Sequence, residues 1–110
     1  EQIRDFCYVD DTVDAIFRAL DCDAADGRVL NIASGQPSQI RDVVETIVSM
    51  IGAGKPQFGL IPYRPGENMV LYGDISAARD ILQWAPTTPL DAGLRATIDN
   101  IRCLDSSFGD

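Results

Sequence analysis

Hydrophobic residues recur along this chain with two periods, one helical and one extended. Val13, Ile16, Phe17 and Leu20 fall at i, i+3, i+4 and i+7, which predicts one apolar helical stripe, with Asp10 and Asp11 placed to cap it. Ile40, Val43, Val44, Ile47, Val48 and Ile51 make the clearest periodicity and predict a second helix, capped by Ser38 and stopped by Gly52 and Gly54. A short helix is expected from Ser76 to Leu82, with Asp74 or Ser76 at its start and Trp84 and Pro86 closing it. Thr88-Pro89-Leu90-Asp91 is a further helix start, with Thr as cap, Pro at the first helical position and an acid at the third. Leu90, Leu94, Thr97, Ile98 and Ile101 line the face of that last helix.

Between these stripes lie short runs dense in aromatic and β-branched residues. Asp5 to Val9, Val29 to Ala33 and Gln57 to Ile61 are predicted strands, and Met69 to Tyr72 a short extended piece. Val29 to Ala33 is apolar apart from Asn31, which suits a strand covered on both faces, as in a parallel sheet. The order is strand, helix, strand, helix, strand, strand, helix, helix. It reads as an α/β domain over residues 1–104, followed by a polar tail, 105–110, expected to fray.

Composition narrows the function. A net charge of -8 over 110 residues argues against nucleic-acid binding, which needs clustered cations, yet leaves room for a small anion held by one or two arginines. No apolar run is long enough to span a membrane. The 3 cysteines form no C-x-x-C, and there is no His, so neither a zinc site nor Cys–His catalysis is expected. Reduced thiols and a cytoplasmic location are the simplest account.

The most informative local feature is Arg64-Pro65-Gly66-Glu67. Pro suits the second position of a type II turn and Gly the third, where φ is positive. The turn brings a guanidinium and a carboxylate side by side. On these four residues alone a surface ion pair, worth little, is the simpler reading. The other is a ligand pair, the guanidinium on a phosphate and the carboxylate on a ribose diol. Arg4, on the strand face of Phe6 and Tyr8, reads either as a solvated strand-end charge or as a second phosphate ligand. Asp10 and Asp11 suit capping better than acid–base work, and Trp84 reads as a packing residue. No dinucleotide or Walker glycine spacing is present.

Taken in order, Arg4-Asp5-Phe6-Cys7-Tyr8-Val9-Asp10-Asp11, Val29-Leu30-Asn31-Ile32-Ala33-Ser34-Gly35, Arg64-Pro65-Gly66-Glu67, Asp74-Ile75-Ser76-Ala77-Ala78-Arg79 and Leu82-Gln83-Trp84-Ala85-Pro86 resemble the extended short-chain dehydrogenase/reductase family of sugar-nucleotide epimerases and dehydratases. The resemblance covers about residues 1 to 102 and implies the small C-terminal substrate-binding domain of such an enzyme, without the Rossmann half. It implies that Arg4 and Arg64 contact the diphosphate of a nucleoside-diphosphate sugar and that Glu67 holds the ribose. It also implies an NAD(P) cofactor in the complete enzyme, bound outside this chain.

The family's Gly-rich fingerprint and its Tyr-x-x-x-Lys pair are absent: Lys55 is the only lysine, and Ile51 stands where the Tyr belongs. Neither a catalytic nor a cofactor-binding residue is therefore expected here, and both elements are expected upstream of Glu1. The chain reads as the sugar-nucleotide-binding portion of an NAD-dependent epimerase or dehydratase, not catalytic alone. The alternative is a stand-alone binding or assembly module of the same descent. In the family's fold the helix from Asp11 to Leu20 and the strand from Val29 to Ala33 pack onto the cofactor-binding sheet. Without that sheet a homo-oligomer is expected.

Overall fold

The computed structural model describes residues 2–59, 61–63, 65–66 and 68–108, with side chains to 104. It is a mixed α/β arrangement in which helices dominate. Strand β1 (Ile3–Arg4) is followed by helix α1 (Val9–Leu20), strand β2 (Ser38–Gln39), helix α2 (Ile40–Ile51), helix α3 (Ser76–Leu82) and helix α4 (Leu90–Phe108), with a single 3-10 turn at Asp23–Ala25.

The helices fall close to where the periodicity puts them, but their starts differ. The cap position of α1 is Tyr8, whose carbonyl accepts the N–H groups of Asp11 and Thr12 at 3.1 and 3.2 Å. Asp10 and Asp11 stand inside its first turn. Ser38 does not cap α2 either: it pairs with Arg4 in the antiparallel β1–β2 ladder, and the carbonyl of Gln2 takes the Ile40 N–H at 2.9 Å. Backbone from a neighbouring segment thus does the work expected of a side chain. Helix α2 ends at Gly52 in the left-handed conformation, as expected.

The strands are the main correction. The ladder ends at Arg4, so the predicted strand from Asp5 to Val9 is instead the approach to α1. Val29 to Ala33 has no ladder partner among the described residues. Leu30 and Ile32 pack against the core while Val29 is 94% exposed, so one side is covered rather than two. Gln57 to Ile61 is broken by a turn at Phe58 and Gly59. Met69 to Tyr72 fares better, because Val70 bridges in parallel to Ile3.

The core is small. Ala15, Ile75, Ala78, Leu82 and Trp84 form its buried cluster, joining α1 to α3. Trp84, 1% exposed, donates its indole N–H to the Asp11 carbonyl at 2.9 Å. The Asp11 carboxylate accepts the Thr87 hydroxyl and the Thr88 N–H, each at 3.0 Å, and so ties α1 to the entry of α4. The predicted apolar stripe of α1 faces outward: Val13, Ile16, Phe17 and Leu20 are 41 to 75% exposed.

Candidate functional site

β1 and the strand-like residues beside it form the frame of the site. Ile3 pairs with Gln39 on one edge and bridges to Val70 on the other. The Ile3 N–H donates to the Met69 carbonyl at 2.7 Å, and the Leu71 N–H donates to the Ile3 carbonyl at 2.9 Å. The segment that follows the Arg64–Glu67 turn therefore lies along β1.

Arg4 is half-buried at this junction. Its guanidinium donates from Nη1 to the Ile3 carbonyl at 2.8 Å and from Nη2 to the Asn68 carbonyl at 2.6 Å. Neither acceptor is charged. Among the described residues the one ion pair is Arg18–Asp14 on α1, so no described carboxylate neutralises Arg4. Arg64 and Glu67 themselves lie outside the described residues. Pro65 and Gly66 are described and form a turn, with φ 76° at Gly66, the positive value that the type II reading requires.

A second cation stands close by in the fold. The Arg41 guanidinium, on α2, lies 4.1 Å over the Phe58 ring, beside an open cleft lined by Gln2, Ile61, Pro62 and Tyr63. Sequence reasoning did not single out Arg41, because no local pattern links a helix position to an aromatic in the following loop.

Asp5, next to Arg4, is not singled out by sequence reasoning either. Its carboxylate accepts three backbone N–H groups: Ser34 at 2.7 Å on Oδ1, and Gly35 and Gly73 at 2.9 and 3.1 Å on Oδ2. Burial raises its carboxyl pKa, but the hydrogen bonds from Ser34, Gly73 and Gly35 outweigh that and hold it below the ordinary value. Asp74 likewise accepts the Ser76 N–H and hydroxyl at the start of α3; these bonds lower its carboxyl pKa.

The Ser34–Gln36 loop is not open to a phosphate. The glycine loop before a helix that comes nearest in position is Ser34-Gly35-Gln36, and its N–H groups at Ser34 and Gly35 already serve the Asp5 carboxylate. An anion there would meet negative charge rather than open donors. No cluster of His, Cys, Asp or Glu among the described residues could hold a metal. Lys55 follows the end of α2, and Ile51, four residues before it, is the last residue of that helix.

Comparison with known proteins gives one consistent answer. Residues 1–97 match a sequence profile described as GDP-mannose 4,6 dehydratase. A UDP-glucose 4-epimerase of Mycolicibacterium smegmatis is 33% identical over 100 residues, covering 90% of this chain and 31% of the relative. Among solved structures, a UDP-glucose 4-epimerase from Thermotoga maritima with UDP-glucose superposes with a TM-score of 0.83 at 29% identity, over 94% of this chain and 33% of that one. The UDP-glucuronic acid 4-epimerase of Bacillus cereus, in complex with UDP-glucuronic acid and NAD, gives a TM-score of 0.81 at 33% identity, again over 94% of this chain and 33% of that one. The chain spans about a third of the length of the relatives it matches.

Proposed function

Because the chain belongs to the extended short-chain dehydrogenase family of NAD-dependent sugar-nucleotide epimerases and dehydratases, we propose that it provides the nucleoside-diphosphate-binding portion of such an enzyme and has no catalytic role alone. Arg4 and Arg64 are the phosphate ligands in this reading and Glu67 the ribose ligand. The substrate is a nucleoside-diphosphate sugar, and NAD(P) is held by the part of the enzyme that has no counterpart in this chain. The cytoplasm is the expected location.

One observation carries the reading: Arg4 holds the Asn68 carbonyl at 2.6 Å with no described carboxylate to neutralise it. A half-buried guanidinium whose described partners are two neutral carbonyls favours an anion over a structural ion pair. Titrating the isotope-labelled chain with UDP and following its NMR spectrum tests this. Shifts are expected at the Arg4 guanidinium and the amides of 68–71. No shifts up to about 10 mM UDP, weaker than any binding free energy of about 3 kcal/mol, would contradict it.

The exposed apolar stripe of α1 favours a second reading, a non-catalytic assembly module of the same descent. Both readings include association through that face, as a homo-oligomer when no other cover is present.

A further inference from the structure

We propose that Asp5 is a positioning residue that fixes the stretch from Asn68 to Gly73 beside Arg4; this rests on the nucleotide-binding reading above. The segment after the turn is fastened to β1 at a few points only. Arg4 Nη2 holds the Asn68 carbonyl at 2.6 Å, and the two backbone bonds of Ile3 hold Met69 and Leu71. Asp5 closes the row: its Oδ2 accepts the Gly73 N–H at 3.1 Å. Arg4 and Asp5, adjacent in sequence, therefore grip the two ends of the stretch from Asn68 to Gly73.

The other half of the Asp5 carboxylate faces a different segment. It accepts the N–H groups of Ser34 and Gly35 at 2.7 and 2.9 Å. A carboxylate is acceptor-only and has lone pairs enough for three donors, and the bonds are charge-assisted. No neutral side chain of the same size matches this. In either orientation an Asn would turn its NH2 group toward a backbone donor, the Ser34 N–H on one side or the Gly35 and Gly73 N–H groups on the other. The contact is also too close for a larger residue at 73, since a Cβ there would lie 2.6 Å from the Ala33 Cβ. Position 73 is thus pressed against the 33–35 loop with the Asp5 carboxylate as the joint. The joint adjoins the core cluster through Ala33, which packs against it, but its hydrogen bonds are made by backbone groups outside α1 and α3.

Asp5→Asn tests the assignment, read by amide hydrogen exchange and by UDP titration. Exchange at Leu71 and Gly73 should speed up about tenfold or more, the scale of losing a charge-assisted bond, while α1, α3 and the Trp84 indole N–H stay as in the parent. UDP affinity should fall by a similar factor. Exchange rising equally throughout α1 and α3 would make Asp5 a general support of the fold and overturn the proposal. So would unchanged UDP affinity in Asp5→Asn where Arg4→Ala weakens it. If exchange at Leu71 and Gly73 rises selectively but neither variant alters the response to UDP, the positioning stands and the nucleotide reading falls. Should Asp5→Asn fail to fold, Gly73→Ala separates the same joint from the Ala33 side and is judged by the same criteria.

Discussion

Asp11 takes a carboxylate to a position only 5% exposed, and its partners are a hydroxyl and an N–H from the entry of α4. Burial raises its pKa, and the hydrogen bonds from Thr88 and Thr87 lower it by more, so its folded value lies below the ordinary one. Asp5 is shifted in the same direction. A depressed folded pKa means that the unfolded chain takes up the proton first. The stabilisation is then complete above the ordinary carboxyl value of about 3.9 and is lost as pH falls through the folded value. Thermal melts followed by circular dichroism between about pH 2 and pH 7 should show a steep acid limb. Asp11→Ala should cost about 1–3 kcal/mol at neutral pH, because the Thr88 N–H loses its acceptor, and should flatten that limb. An unchanged limb would place the acid sensitivity elsewhere. At the proposed ligand turn, Arg64→Ala in a complete enzyme carrying this segment should weaken substrate binding by about 1.5–3 kcal/mol and leave NAD affinity unchanged; a joint loss would make the turn structural. The positive φ at Gly66 was legible, because Pro-Gly turn chemistry is local. The roles of Asp5 and Asp11 were not, because their partners lie 29 to 77 residues away and are mostly backbone groups, which leave no mark on side-chain pattern.

The helices were readable and the strands were not, for a reason that lies in where their hydrogen bonds go. A helix closes its bonds within its own sequence, so the stripe of α2 announces it from Ile40 to Ile51. A strand exists only with a partner, and Val29 to Ala33 has none among the described residues. The orientation of α1 is the subtler case. Its large apolar residues face out, and the face it buries carries Asp11 and Ala15, with Ala15 in the same buried cluster as Ala78 of α3. Small residues let two helices approach closely, so volume here matters more than hydrophobicity. Ala78→Leu, at a position 0% exposed, should therefore destabilise the protein by about 1–3 kcal/mol through overpacking. Phe17→Ser, 63% exposed, should change the stability of the monomer by no more than about 0.5 kcal/mol. Urea titration of both variants under dilute conditions checks this, and a large loss in Phe17→Ser would mean that the stripe turns inward in solution.

At the scale of the whole chain, the radius of gyration is 16.9 Å and the extents are 47 × 41 × 20 Å. A compact domain of this length has a radius of about 13 Å. The chain is a slab one or two helices thick, with little interior and much of its apolar surface on the outside. Val9, Val13, Ile16, Phe17 and Leu20 make one continuous stripe along α1, all at least 41% exposed, and Val29 adds another exposed apolar side chain. Nothing among the described residues covers this face. Solvent-facing stripes of this size seek apolar partners, and most soluble homo-oligomers close by two-fold symmetry. The purified chain should therefore self-associate, with a dimer as the first species. Light scattering after size-exclusion chromatography reads this directly. The net charge of -8 opposes association of like chains, so added salt should strengthen it by screening. Phe17→Glu places a charge in the middle of the stripe and should shift the population toward monomer without loss of helix content. If the parent chain is a monomer at high concentration, the stripe is covered by its own chain; if the oligomer persists in Phe17→Glu, the contact lies on another face, such as α4, where Ile101 and Leu104 are also about half-exposed.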